Sequence, residues 1–448
     1  MTLHRWLTVL LCLVCVGMLG ASLLLAQEKG AAMPEKPSAP PEATAESTTA
    51  QPKGYTLPPD KLEKAIALSR ARNWLYFIDV AYGLFILLLI LRLRVAPKFR
   101  DIAERVSSVR FLQALIFTPL MLLTVDVLGL PTSIYGQYLN LKYEQSIQSW
   151  GSWFWDWTKG ELIGFVVFIF LVWILYAVIR RSPRRWWFYF WMAALPIIVF
   201  LIFLAPLVVD PLFFKFTPLE NTQPQLVAEI EKVVKRGGLE IPRERMFESN
   251  ASTKYKTVNA YVTGIGASKR VVVWDTTLQK MTPQQTLFVF GHEMGHYVLG
   301  HIRNALLFVS AVLLLFLYLG YRGLHWALRR WGQGWGIRGV DDWASFPVLT
   351  LFLLVVSFLF SPVFNGFSRW QEHNADTYGL EVIHGIVENS PEVAGQSFQI
   401  LGEITLADPD PHPFIKYWRY SHPPVAERVL FARTYDPWSK GESPKYVK

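Results

Sequence analysis

Six long apolar segments constrain the fold of this chain more than any other feature. Each is close to the length of about 20 residues that a helix needs to cross a bilayer. Hydrophobic residues make up 52% of the 448 residues and charged residues only 18%, which is too apolar for a soluble protein of this size. The sequence therefore predicts a mainly α, multi-pass membrane protein. The segments lie at 74–94, 111–130, 162–180, 186–209, 304–322 and 346–364.

The N-terminal part of the chain has a different character. Residues 1–26 contain Arg5 followed by an apolar run, a pattern typical of a signal peptide or signal anchor. An uncleaved anchor would raise the number of spans to seven. Residues 27–56 are rich in Pro, Ala, Glu, Ser and Thr, and we expect a disordered tether there. The only cysteines are Cys12 and Cys15, so the body of the chain holds no disulfide framework and no cysteine ligand.

A region of mixed composition separates the fourth and fifth of these apolar segments. Its stretch VNAYVTGIGASKRVVVWDTTL predicts two strands around a glycine-rich turn. The start of a helix follows directly. Thr282 can cap it, Pro283 suits its first position, and Gln285 can complete a capping box.

This helix carries the sequence HEMGH. Residues four apart lie on one face of a helix, so His292 and His296 can give two imidazole nitrogens to one metal. Glu293 lies beside the first ligand and can take a proton from metal-bound water, whose pKa zinc lowers toward neutrality. Two chance histidines on an amphipathic helix are the alternative. The capped helix, with Gly291 and Gly295 beside the motif, favours a catalytic zinc site.

A third ligand must come from elsewhere in the chain. His301 is one residue away from the position that a third histidine occupies in metzincins, so we expect it to point elsewhere and not to bind metal. Downstream, SRWQEHNADTYG places Glu372 and Asp376 one helical turn apart. Glu372 can bind the metal while Asp376 supports a liganding histidine. An ordinary polar helix face would have the same spacing, which leaves both interpretations open.

Five segments in order resemble one family: DPLFFKFTPLE, NAYVTGIGASKRVVVWDTTL, GHEMGHYVLGH, QEHNAD and SHPPVAER. They are similar to the integral-membrane zinc metallopeptidases of the type I CAAX prenyl protease group, which are related to the HtpX-like gluzincins. The resemblance runs from about residue 56 to 435. It implies a transmembrane helical barrel around a water-filled chamber, with a small α+β gluzincin-type zinc peptidase domain. Such a chamber would allow polar groups at membrane depth.

The resemblance also implies the chemistry of individual residues. One zinc ion per chain would be bound by His292, His296 and Glu372. Glu293 would be the general base, and His422 would stabilise the oxyanion.

Other residues would align the substrate and support the site. Asn259, Ala260 and Tyr261 would form the edge strand that aligns a peptide by strand addition. Arg428 would support the site, as would Asp376.

The resulting domain division has four parts after the tether. An N-terminal transmembrane domain spans 57–209, and a zinc peptidase domain with the HEMGH helix spans 210–303. Two further transmembrane helices occupy 304–364, and 365–448 complete the peptidase domain.

The predicted function is that of a membrane-embedded zinc endopeptidase acting on peptides or membrane proteins. A catalytically silent scaffold or assembly factor with the same fold is the alternative. The intact Glu293 argues against it, because a decayed enzyme has no reason to keep the base. The formal charge of +9 does not indicate nucleic-acid binding, since no basic stripe with interleaved aromatic residues lies outside the apolar segments. The expected partners are a peptide or protein substrate and the lipid bilayer.

The orientation follows from the basic loops. With seven alternating crossings, Arg5 and the loops at 92–110, 180–185 and 322–338 lie on one side of the membrane. Short loops rich in Lys and Arg face the cytoplasm. We therefore expect a bacterial inner-membrane protein whose catalytic residues face the periplasm.

Overall fold

The computed structural model describes residues 54–263 and 269–447. The predicted signal segment, nearly all of the predicted tether and the predicted glycine-rich turn lie outside the described residues. Twelve main helices are α1 Pro59–Arg92, α2 Val95–Val106, α3 Arg110–Lys142, α4 Trp150–Arg181, α5 Trp186–Leu204, α6 Pro224–Arg236, α7 Pro283–Val298, α8 His301–Trp331, α9 Phe346–Ile383, α10 Ser390–Thr405, α11 Pro413–Arg419 and α12 Val425–Thr434. Short helices lie at Asp210–Phe213, Leu219–Thr222 and Asp275–Lys280.

Within the described residues, six helical segments are long and apolar enough to cross a membrane. They coincide with the six apolar segments predicted from the sequence, but they are longer. α1, for example, begins at Pro59, and its first two turns contain the charged residues of PDKLEK. Its 34 residues would extend about 50 Å at 1.5 Å per residue, well beyond the roughly 30 Å of the hydrocarbon core. The ends of α1 therefore project from the apolar layer.

The helices also run across the predicted domain boundaries at 209, 303 and 364. α5 continues through a π-helical turn at Ala205–Val209 into the short helix Asp210–Phe213. α8 begins at His301, and α9 passes without a break from its apolar half to Ile383. The apolar pattern changes at these boundaries, but the helices do not end there. In α9, polar residues beyond 364 are buried and continue the same helix.

A small mixed sheet forms the β part of the predicted peptidase domain. Its strands are β1 Phe216–Pro218, β2 Met246–Ser249, β3 Ala260–Thr263 and β4 Arg270–Trp274, in the order β1-β2-β4-β3. β2 and β4 are parallel, and the other two pairs are antiparallel. β4 lies in the interior of the sheet and reads RVVVW, a continuous apolar run of the kind that buried strands carry. β3 is an edge strand among the described residues, and its antiparallel pairing with β4 confirms the predicted pair of strands.

Two large hydrophobic cores and two small clusters lie in the described part of the chain. One lies among the membrane helices, with Phe117, Phe168 and Phe316 fully buried in it. The second packs β3 and β4 against α6, α7, the end of α9, α10 and α12. α9 contributes to both cores, so it links the membrane helices directly to the part of the chain that contains the sheet.

Candidate active site

The helix α7 begins as its sequence predicts. The Thr282 hydroxyl accepts a hydrogen bond from the Gln285 backbone N–H at 3.2 Å, and the Gln285 side chain accepts one from the Thr282 backbone N–H at 2.9 Å. This is the predicted capping box, with Pro283 in the first turn. α7 ends before Gly300, whose φ of 66° lies in the left-handed region that favours glycine. His301 therefore begins a new helix and does not continue the face of His292 and His296.

Glycines allow α7 and α9 to pack at unusually close range. A Cβ atom on Gly379 would lie 2.9 Å from the backbone nitrogen of His292. One on Gly295 would lie 3.1 Å from Cβ of Tyr378, and one on Gly291 would lie 2.9 Å from Val382. Contacts this short exclude most side chains without movement of the helices. The glycines of the HEMGH region thus bring the carboxylates of α9 to the histidines of α7.

Three potential metal ligands converge where these helices meet. His292, His296 and Glu372 each offer one ligand atom, and the three atoms lie within 4.8 Å of one another. Nε2 of His292 lies 3.4 Å from Oε2 of Glu372, and Nε2 of His296 lies 3.5 Å from Oε1. Glu372 is 2% exposed, and its Oε2 atom forms no hydrogen bond with the described residues. Two imidazole nitrogens and a carboxylate are a donor set that suits zinc, and a cation here would satisfy this buried oxygen. The residues therefore fit a metal ion.

Asp376 lies directly behind His292. Its Oδ1 atom is 2.7 Å from Nδ1 of His292, so the other ring nitrogen is turned toward Glu372. Arg428 donates two hydrogen bonds to Asp376, from Nε at 2.9 Å and from Nη2 at 2.5 Å. All three side chains are buried. The pair Asp376–Arg428 thereby fixes the orientation of the His292 ring.

Glu293 lies next to His292 on the same helix. Burial raises the pKa of its carboxyl group to about 7 in the metal-free chain. A bound dication would lower this value again. A carboxylate next to a metal-binding histidine can accept a proton from water and return it.

His422 reaches the site from the far end of the chain. Its Nε2 atom lies 3.4 Å from Oε1 of Glu372, and its Nδ1 atom lies 2.9 Å from the Ser421 hydroxyl. The side chain is 37% exposed, which leaves it accessible to a bound peptide. Pro424 is the N-cap of α12, the helix that carries Arg428. The same turn thus brings both His422 and Arg428 to the site.

His301 contacts the site in a way that the sequence did not predict. It is not among the three converging ligands, but it does not point elsewhere either. Nδ1 of His301 lies 3.0 Å from Nδ1 of His296, on the opposite side of that ring from Glu372. The expectation that His301 points elsewhere was wrong, because α7 ends at Val298 and the chain turns at Gly300. A glycine between the motif and the next histidine was the available signal.

The residues Asn259, Ala260 and Tyr261 lie at the start of β3, which packs against α7. The Asn259 carbonyl accepts a hydrogen bond from the Trp274 backbone N–H at 3.0 Å. Because hydrogen-bonded pairs alternate along an antiparallel ladder, Tyr261 also faces β4 with its backbone groups. The N–H and C=O groups of Ala260 and Val262 therefore point away from β4, toward the open edge.

Comparison with known proteins identifies the family. The model of Peptidase family M48 matches residues 220–436. The family model described as "CAAX prenyl protease N-terminal, five membrane helices" matches residues 41–215. A Bacillus subtilis protein described as "Uncharacterized metalloprotease YhfN" is 36% identical over 395 residues, covering 88% of this chain and 90% of that protein. The chain belongs to peptidase family M48.

Other relatives of this M48 peptidase agree with the assignment. CAAX prenyl protease 1 of Saccharomyces cerevisiae is 25% identical over 400 residues, covering 83% of this chain and 85% of that protein. The crystal structure of S. mikatae Ste24p matches with a TM-score of 0.72 at 22% identity, over 85% of this chain and 90% of that chain. The predicted fold, a chamber of membrane helices with an M48 domain, is confirmed. The prediction of a membrane metallopeptidase is confirmed as well, and the scaffold alternative is not favoured.

Proposed function

We propose that this M48 peptidase is an endopeptidase that binds one zinc ion per chain through His292, His296 and Glu372. It hydrolyses peptide bonds of peptides or membrane proteins. The convergence of two imidazole nitrogens on a buried carboxylate with an unsatisfied oxygen carries the proposal. The test measures zinc content and hydrolysis of a generic fluorogenic peptide by the purified membrane protein, wild type against Glu293→Gln.

The residues around the proposed ligands have separate roles. A bound zinc ion supplies Lewis-acid chemistry by polarising the scissile carbonyl and lowering the pKa of water. Glu293 accepts the proton of the attacking water and returns it to the leaving amine. Asp376, held by Arg428, keeps the His292 ring oriented so that its Nε2 atom faces the metal-binding position. Nε2–H of His422 donates to the oxygen on which negative charge develops.

β3 aligns the substrate in this proposal. An extended peptide can add to the free edge through the outward N–H and C=O groups of Ala260 and Val262. Tyr261 contributes differently, because its backbone faces β4 and its hydroxyl lies 3.5 Å from Asp210. Asn259 is tied to Thr277, whose hydroxyl bonds both to its N–H and to its carbonyl at 2.7 Å. These contacts support a rigid edge next to α7.

His422→Ala is expected to lower kcat by about 10²–10³-fold while zinc content stays unchanged. The reason is that a donor to the oxyanion acts on the transition state and not on the metal. Steady-state kinetics together with metal analysis measure both quantities. His412→Ala is the matched control, because His412 is an exposed residue of the same region whose side chain caps α11. A near-normal kcat in His422→Ala would remove the residue from the mechanism.

We also propose that the protein lies in a bacterial inner membrane with its catalytic side toward the periplasm. The basic segments support this orientation. Arg338 forms an ion pair with Glu104 of α2 at 2.7 Å, which joins the 92–110 and 322–338 regions at one end of the helices. Short loops rich in Lys and Arg tend to lie on the cytoplasmic side, so the end of the helices that carries these loops is expected to face the cytoplasm.

Cysteine accessibility tests the orientation. With Cys12 and Cys15 replaced, single cysteines are placed at the exposed positions Gln333 and Ser439. We expect a membrane-impermeant maleimide to label Ser439→Cys in spheroplasts while Gln333→Cys is labelled only after the membrane is permeabilised. The reverse pattern would place the catalytic domain in the cytoplasm.

A further inference from the structure

A buried carboxylate near the end of α9 is bound by a distant segment of the chain. Glu381 is fully buried. Its Oε1 atom accepts a hydrogen bond from the backbone N–H of Lys445 at 2.6 Å. Its Oε2 atom accepts from the backbone N–H groups of Tyr446 at 2.6 Å and Val447 at 2.9 Å. The Tyr435 hydroxyl donates a fourth bond. Residues 445–447, the C-terminal strap, thus enclose one charged side chain of α9.

The strap contacts α9 at a second point. The Asn374 side-chain oxygen accepts hydrogen bonds from the Lys445 ammonium group at 3.1 Å and from the Tyr446 hydroxyl at 2.8 Å. Asn374 and Glu381 are seven residues apart, so they lie on one face of the helix, about two turns from each other. The strap therefore spans the part of α9 that contains Asp376.

The opposite face of α9 carries the metal-site residues. At about 100° per residue, Glu381 is rotated by about 180° from Glu372, nine residues earlier. Glu372 and Asp376 face the histidines of α7, and Gly379 packs against the backbone of His292. The end of α9 is thus held between α7 on one face and the strap on the other.

We propose that the C-terminal strap is a positioning element of the metal site, with Glu381 as its anchor. Without the strap, Glu381 would lose three of its four hydrogen-bond donors together with the segment that covers it. Water would take the place of those donors, and the contacts that hold this face of α9 would be lost. Loss of these contacts shifts Glu372 and Asp376 relative to α7. The proposal rests on the proposed function, in which Glu372 binds the zinc ion.

Two variants and a matched control test this role. The first is a chain shortened to end at Ser443, and the second is Glu381→Gln, which leaves an amide nitrogen facing backbone N–H donors. Glu442→Gln is the control, because Glu442 is an exposed carboxylate just before the strap. Zinc affinity is measured by competition with a chelator, and kcat and KM are measured at saturating zinc. We expect both variants to bind zinc about tenfold more weakly. This is the lower end of the roughly 10–100-fold loss of metal affinity that is typical when a residue supporting a metal ligand is mutated.

The kinetic pattern separates positioning from general loss of structure. We expect kcat to fall about tenfold at saturating zinc while KM stays within about twofold, because the strap forms its hydrogen bonds with Glu381 and Asn374 of α9. A synthetic peptide of residues 443–448 should restore zinc affinity to the shortened chain. Zinc affinity and kcat equal to wild type in a folded, shortened chain would overturn the proposal.

A milder variant decides the question if the shortened chain does not fold. Lys445→Met combined with Tyr446→Phe removes both contacts to Asn374 and keeps the backbone bonds to Glu381. We expect zinc affinity to fall two- to threefold; an unchanged affinity would overturn the proposal. Failure of the proposed function is distinguishable, because in that case the wild-type chain itself would bind no zinc at this site.

Discussion

Glu293→Gln is expected to retain one zinc ion per chain and to lose hydrolysis by about 10²–10⁴-fold. The side chain is not one of the three converging ligands, so an amide of the same size leaves the metal site intact. Loss of the carboxylate removes the group that accepts the proton. General-base catalysis typically contributes about 10²–10⁴-fold to the rate. Metal analysis and peptide hydrolysis on the same preparation measure the two effects.

Two other outcomes are informative. Activity within about threefold of wild type would show that Glu293 is not the base. Full zinc content without measurable hydrolysis in the wild-type chain would instead revive the scaffold alternative. Glu442→Gln controls for the loss of one negative charge in an exposed position of the same domain.

His296→Ala is expected to abolish stable zinc binding, whereas His301→Ala should retain the metal. In the proposed site His296 supplies one of the three ligand atoms, and its loss would leave only His292 and Glu372. His301 contacts the second nitrogen of the His296 ring at 3.0 Å, so its removal frees the ring without removing a ligand. Mutation of a residue that contacts a metal ligand typically lowers metal affinity by about 10–100-fold, so His301→Ala should bind zinc more weakly than wild type but still bind it.

Zinc titration in the presence of a competing chelator measures both affinities. His412→Ala should bind zinc as wild type does, since the His412 imidazole caps α11 and is not one of the three proposed ligands. Equal zinc binding by His296→Ala and His301→Ala would show that the ligand assignment is wrong.

The parts of the site that the sequence predicts are those specified by local signals. Thr282, Pro283 and Gln285 specify the start of α7 within four residues, and the spacing of His292 and His296 specifies a common face. The β3–β4 pair follows from two apolar runs around a turn. In each case the residues that determine the structure are neighbours in sequence, so periodicity and capping rules apply directly.

The parts that the sequence did not predict depend on contacts between distant segments. The extension of α9 to Ile383 depends on burial of its polar residues against α7, which no apolar pattern signals. Glu381 looks like an ordinary helix-surface carboxylate until residues 445–447 enclose it. The family resemblance indicated His422 and Arg428, because neither has a local pattern that leads to the metal site. The glycines of α7 are visible in the sequence, but their close packing against α9 could not be predicted from it.

The unbroken course of α9 has a mechanical consequence. Pro362 lies within its membrane-spanning half, and Glu372 follows ten residues later, about 15 Å along the axis. Tilting the helix by about 4° around Pro362 would displace the backbone at Glu372 by about 1 Å, taking that length as a lever arm. Membrane helices adjust their tilt to the thickness of the surrounding hydrocarbon layer. Displacements of this size in a catalytic geometry can cost about 10²-fold in rate. We therefore expect lipid chain length to affect the rate of hydrolysis through the position of α9.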